Sequence, residues 1–122
     1  MNEKLYYEYR SLVREIYNQE INCSGSLSEE IMSIRDQNTD IESVDCRVAN
    51  HFIVFNISDK CKDIANLKIN IINQILSILS NYINNNLNII NKENDTDFKS
   101  FISSTSNIAD VYSVGNEIRV ML

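Results

Sequence analysis

The sequence predicts an α+β fold: a small, mainly antiparallel sheet with an N-terminal helix and one long central helix packed on it. Apolar residues recur at helical spacing over residues 3–21, switch to a period of two near Ile41, and return to helical spacing from Ile64 to Ile83. The resulting order of helix, helix, strands, long helix and hairpin lacks the regular alternation of a doubly wound fold.

In the first helix Leu5, Tyr9, Leu12, Val13 and Ile16 form the apolar stripe, with Glu3, Glu8, Arg10, Arg14 and Glu15 mostly elsewhere. It should end near Asn22 to Gly25. Ser26-Leu27-Ser28-Glu29 then has the spacing of a capping box and opens a short helix to about Gln37 that buries Leu27, Ile31 and Ile34. Val44, Cys46 and Val48 alternate with Asp45 and Arg47, as a half-buried strand requires. From His51 to Ile57 both parities are apolar, which predicts a central strand covered on both faces. Ala49-Asn50-His51 is then either a tight hairpin loop or a bulge in one long strand.

Ser58-Asp59 supplies a cap for the longest helix, whose stripe runs Ile64, Leu67, Ile71, Ile75, Ile78 and Tyr82. Between Lys68 and Lys92 there is no charged residue. A membrane span is still rejected, because Asn70, Asn73, Gln74, Asn81 and Asn84 each bring an amide that is costly where there is no water. Leu87-Asn88-Ile89-Ile90 fits helix or strand, and Asp97 to Ser103 reads as a short helical turn. Val111-Tyr112-Ser113-Val114 and Glu117-Ile118-Arg119-Val120 flank Gly115-Asn116, a Gly-first dipeptide that predicts a hairpin with a type II′ turn.

At 122 residues, 43% hydrophobic and 23% charged, the chain should fold as one domain, residues 1–122, around one modest core. It holds 18 Asn and 19 Ile but two Gly and no Pro. Asn is therefore the residue expected at left-handed turn positions, with Asn84-Asn85-Asn86 the obvious place. The first residues contain two acids and no apolar run, so no signal peptide is read there. Three widely spaced cysteines, Cys23, Cys46 and Cys61, predict free thiols and a cytoplasmic location.

No constellation with the spacing of a catalytic or metal centre stands out. Cys23, Cys46, Cys61 and His51 make a zinc-type donor set by count, but only Cys46 and His51 lie close, and structural zinc sites take ligands in close pairs. A Cys paired with His51 as nucleophile and base competes with the role of a lone structural histidine. Asp95 with Asp97, and Asp40 with Glu42, lack the glycine and spacing of a calcium loop. Dinucleotide fingerprints and P-loops need more glycine than the chain has. The expectation is a protein that is not an enzyme and carries no cofactor or metal.

A net charge of −6 and the absence of a basic run oppose binding to nucleic acid or to anionic membrane. The same charge suits a basic protein partner, whose capture carboxylates accelerate. The expected partner-binding residues are Asp36, Asp40, Glu42 and Asp45, with Tyr7 and Tyr17 as aromatic anchors that emerge off the core stripe. The function expected is that of an acidic protein-interaction module, an inhibitor or immunity-type protein. The alternatives are a homo-oligomeric adaptor or secretion-type chaperone, a homodimer joined along the long helix through Asn73 and Ser77, and, third, a viral host-interaction protein. Size and acidity are similar across these classes, and no motif ties the chain to any of them residue by residue.

Overall fold

The computed structural model describes residues 3–23, 25–47, 51–85 and 95–122. Helix α1 spans Glu3–Cys23 and α2 spans Ser26–Asp36. Strand β1, Ile41–Arg47, pairs antiparallel with β2, Phe52–Ile57. The long helix α3 runs Ile64–Asn85, followed by α4, Asp95–Phe101, and α5, Thr105–Ile108. A hairpin of β3, Asp110–Val114, and β4, Glu117–Met121, closes the described chain. The sheet order is β1-β2-β4-β3, antiparallel throughout, so β2 is central as its two-sided hydrophobicity requires.

Register assigns the faces. Val44 and Cys46 of β1, Ile53 and Phe55 of β2, Ile118 and Val120 of β4 and Val111 of β3 stand opposite one another and join the core. Asp45, Val54, Arg119 and Tyr112 share the other face. Onto the core face pack Tyr9, Val13, Ile16 and Tyr17 of α1, Leu27, Ile31 and Ile34 of α2, and Leu67, Ile71, Ile75, Leu79 and Ile83 of α3. Each fully buried aliphatic contributes roughly 1.5–3 kcal/mol over its exposed state, so these stripes supply the main drive to fold.

The local signals differ from expectation at four places. Helix α2 is not opened by a capping box: Gly25 is its N-cap in a left-handed conformation (φ 67°), and Ser26 and Glu29 lie inside the helix. The Ser28 hydroxyl donates to the Gly25 carbonyl at 2.9 Å and the Glu29 N–H to the same oxygen at 3.0 Å. Helix α3 is capped by Asp63, whose Oδ1 accepts the Asn66 N–H at 3.0 Å. Ser58 is occupied in the preceding turn, where its hydroxyl accepts from Lys60 N–H and its carbonyl from Cys61 N–H.

Asn84 and Asn85 are helical rather than turn residues. Among the described residues the non-glycine with positive φ is His51 (φ 56°), not an asparagine; its carbonyl accepts the Leu122 N–H at 3.0 Å, which ties the turn to the end of β4. In the hairpin turn Gly115 takes positive φ (58°) while Asn116 does not, the sign pattern of the expected type II′ turn. The readings of Val48, of Ala49-Asn50 and of Leu87 to Ile90 fall outside the described residues.

Candidate functional site

The four acids proposed from sequence are spread over the end of α2, the turn after it and β1. Asp36 sits at the end of α2 beside Arg35, 3.9 Å away, and Asp45 pairs with Arg47 at 2.7 Å on the sheet face opposite the core. Asp40 lines a depression shared with Lys60, Lys62 and Asp63. Glu42 is the exposed residue where the β1–β2 register shifts between Ile41 and Ser43. Three of the four carboxylates thus have a cation beside them, and their summed field is weaker than their spacing in sequence implies.

Tyr17 is a correction. It was expected at the surface as an anchor, yet it is 1% exposed, packed in the core with its hydroxyl donating to the Phe52 carbonyl at 3.4 Å. The helical stripe is centred on Tyr9, Val13 and Ile16, and Tyr17 belongs to its sheet side. Burial, then the neighbouring Cys46 and Asp45, raises the Tyr17 pKa well above the phenol range. Cys46 in turn is pushed up to about 11, first by burial and then by the Asp45 charge, against a hydrogen bond to Tyr17 that opposes the rise. A thiol held protonated in this way is a poor nucleophile at neutral pH. His51 lies elsewhere in its bonding: its Nδ1 is 3.1 Å from Asn18 Oδ1. Among the described residues no group of three or more His, Cys, Asp or Glu is placed to hold a metal ion.

Tyr7 is 61% exposed, as expected of an anchor. Its ring stands edge-on to Tyr6 at 5.5 Å, and Tyr6 stands edge-on to the buried Phe101 at 5.5 Å. Tyr9, Phe98 and Phe101 extend the same array inward, with centroids 5.2 to 6.4 Å apart. Such pairs contribute about 0.5–1.5 kcal/mol each beyond burial and hold the exposed ring on a rigid base.

Around Tyr7, one face of α1 presents a shallow surface patch made by Lys4, Glu8, Ser11, Leu12 and Glu15. Leu12, half-buried, is its apolar member, and Glu8 and Glu15 are exposed. Glu8 and Glu15 are not among the acids expected from sequence, although Lys4, Glu8, Ser11 and Glu15 follow i, i+4, i+7, i+11 spacing on one face of α1.

Beside this face Arg10 is almost wholly buried, with its side chain 8% exposed. It donates to Tyr6 OH at 2.9 Å, to Asp110 Oδ2 at 3.0 Å and to the Met121 carbonyl at 3.1 Å. Arg14 donates to the Leu122 carbonyl at 2.7 Å. Two arginines one turn apart therefore clamp α1 to the start of β3 and the end of β4, which fixes the Tyr7 face relative to the sheet.

Compared with protein-family models, with curated proteins and with solved structures, the chain has no match. Among the described residues no helix is long and apolar enough to cross a membrane.

Proposed function

We propose that the chain is a small acidic protein-interaction module that captures a basic protein partner, in the manner of an inhibitor or immunity-type protein. The observation that carries this reading is the exposed Tyr7 ring, braced by Tyr6 and Phe101, on an α1 face that also carries Leu12, Glu8 and Glu15. Buried aromatic anchors dominate protein interfaces, and carboxylates around them steer a basic partner at long range. The net charge of −6 acts in the same sense. Free Cys46 and Cys61 suit a reducing compartment, and the cytoplasm is the location that goes with this reading.

Affinity capture with the wild-type chain beside Tyr7→Ala and Glu8→Lys/Glu15→Lys tests it. The expected result is a basic protein bound by the wild type and lost by both variants. A partner retained by both, or one that is nucleic acid, overturns it.

A second reading, a homo-oligomeric adaptor, has one observation in its favour. Ile69, Asn73 and Ser77, at i, i+4, i+8 spacing, are exposed on one side of α3, and Ile69 is 55% exposed. Sedimentation at micromolar concentration separates the two, since a monomer near 14.1 kDa excludes this stable assembly.

A further inference from the structure

The two edges of the sheet are finished differently. Strand β1 carries Glu42 at a register shift and Asp45 and Arg47 along its length, the devices that keep edge strands from pairing. Strand β3, Asp-Val-Tyr-Ser-Val, has no lysine, proline or register shift, and its one charge lies at its first residue.

Register shows which of its groups are free. Ile57 N–H donates to the Asn116 carbonyl and Leu122 N–H to the His51 carbonyl, so the even-numbered residues of β4 bond toward β2 and the odd-numbered ones toward β3. The β3 partners of Glu117, Arg119 and Met121 are Val114, Tyr112 and Asp110. Val111 and Ser113 consequently direct their N–H and C=O outward, and Ser113 is exposed. Among the described residues no strand pairs with this edge. Directly beside it, on the core side, lies a cleft of about 430 Å³ whose lining includes Ile72, Thr105, Ala109 and Val111.

We propose that the outer edge of β3 is a strand-acceptor site for an extended, basic segment of a partner protein, which adds a fifth strand and seats one aliphatic side chain in the cleft beside Val111. Strand addition satisfies the free backbone groups and alternate side chains supply specificity. The core-side residue meets Ile72 and Ala109, which calls for an aliphatic group. Asp110 at the head of the strand is already paired with Arg10, so it is the chain's net charge of −6 that calls for lysine or arginine at the outward-facing positions.

A second copy of the chain fits less well. Two such chains, each of net charge −6, repel. In a two-fold pairing centred on Tyr112 the cleft beside Val111 would also receive Ser113, a polar group. The occupant rests on the reading of the partner as a basic protein, but the site is separate from the Tyr7 face.

The probe is the blocked peptide Lys-Val-Lys-Leu-Lys-Val-Lys, titrated to millimolar concentration into ¹⁵N-labelled protein. Saturable shifts at the Val111 and Ser113 amides are expected, with at least tenfold slower hydrogen exchange there. Replacing the central Leu by Ala should weaken binding about tenfold or more, from the lost methyl groups. N-methylating alternate peptide amides, which leaves the side chains and charge intact, should abolish it, as should Ser113→Pro, which removes one outward donor. Should Ser113→Pro fail to fold, the N-methylated peptide carries the same test on the wild-type chain.

No shift at millimolar peptide, shifts confined to α1, equal binding of the N-methylated peptide, or equal binding of a Glu-for-Lys peptide each overturns the proposal. Protection of Val111 and Ser113 that grows with protein concentration in the absence of peptide assigns the edge to a second copy and overturns it too. Tyr7→Ala should bind the peptide normally. Peptide failure with Tyr7-dependent capture intact therefore sinks this site alone, whereas peptide binding without such capture sinks the α1 reading.

Discussion

Arg10 on α1 and Asp110 at the head of β3, one hundred residues apart in sequence, meet at 3.0 Å. The pair is lopsided: the guanidinium is buried and the carboxylate mostly exposed. Asp110 can regain water if it loses its partner, but Arg10 cannot, so removing the carboxylate charge is the costly change. Asp110→Asn should lower stability by about 1–3 kcal/mol, less than for a fully buried pair. Thermal unfolding checks it, with a fall of several °C expected for a domain this size. An unchanged midpoint shows that the carbonyl of Met121 and the hydroxyl of Tyr6 suffice for Arg10.

Tyr9 predicts the opposite sign. Its ring fills the core against Phe98 and Phe101, but its hydroxyl is buried with no hydrogen-bond partner among the described residues. Burial, then Asp97 and Glu8, raises its pKa, so the phenol stays neutral at physiological pH. Tyr9→Phe removes an unsatisfied polar atom and keeps the packing, and should leave stability unchanged or raise it by about 1 kcal/mol. Chemical denaturation with an unchanged slope is the measurement. A loss above about 1 kcal/mol would mean that the hydroxyl is bonded in solution.

Much of this architecture is legible in the sequence because burial follows periodicity. The even spacing of Val44 and Cys46 against Asp45 and Arg47 gave β1 and its faces, and the two-sided apolar run of Phe52 to Ile57 gave a central strand. Tyr17 was misjudged because a residue one step off the helical stripe is exposed or buried according to which side meets the sheet, a tertiary fact. The burial of Arg10, off the apolar stripe, is hidden for the same reason, since its acceptors, Asp110 and the Met121 carbonyl, come from the far end of the chain. The caps failed differently. Ser58 and Asp63 both offer side-chain oxygens near the start of α3, and only the path of the turn after β2 decides between them. Of the residues expected at the site, the exposure of Tyr7 was readable from its place off the apolar stripe, whereas the cations beside Asp36 and Asp45 were visible only as sequence neighbours until the structure gave their distances.

The Tyr17–Cys46 contact gives a pH dependence whose sign can be worked out. Both groups are neutral in their acid forms, and folding raises both pKa values, Cys46 from 9.0 to about 11 and Tyr17 above its ordinary 10.0. As pH rises past 9 the unfolded chain therefore loses these protons before the folded one does. Stability from this source is fully present below about pH 9 and is lost as pH climbs through 11. Denaturation midpoints should be flat from pH 7 to 8.5 on this account and fall between 9 and 11, and Cys46→Ala or Tyr17→Phe should make that fall shallower whatever it does to stability at neutral pH. Parallel slopes in wild type and both variants would exclude the pair as the source.

The location of the acidic determinant is the prediction on which the functional reading turns. Sequence spacing places it at Asp36 to Asp45, where Arg35, Arg47, Lys60 and Lys62 stand among the carboxylates. The α1 face offers Glu8 and Glu15 around the exposed Tyr7, with Lys4 as its cation. Rim charges govern association rate and its salt dependence, whereas a desolvated aromatic anchor governs dissociation. Once a partner is captured, Glu8→Lys/Glu15→Lys should slow association by about tenfold at low salt and flatten its dependence on ionic strength. Asp40→Lys/Glu42→Lys should change it far less, although it alters the net charge by the same amount. That equality separates local steering from the field of the whole molecule. Tyr7→Ala should leave association nearly unchanged and speed dissociation by a factor corresponding to about 2 kcal/mol, on the order of thirtyfold. Surface plasmon resonance across a salt series measures all three. Equal slowing by the two charge reversals would return the determinant to the molecule's overall acidity, and a dissociation rate indifferent to Tyr7 would remove the α1 face from the interface.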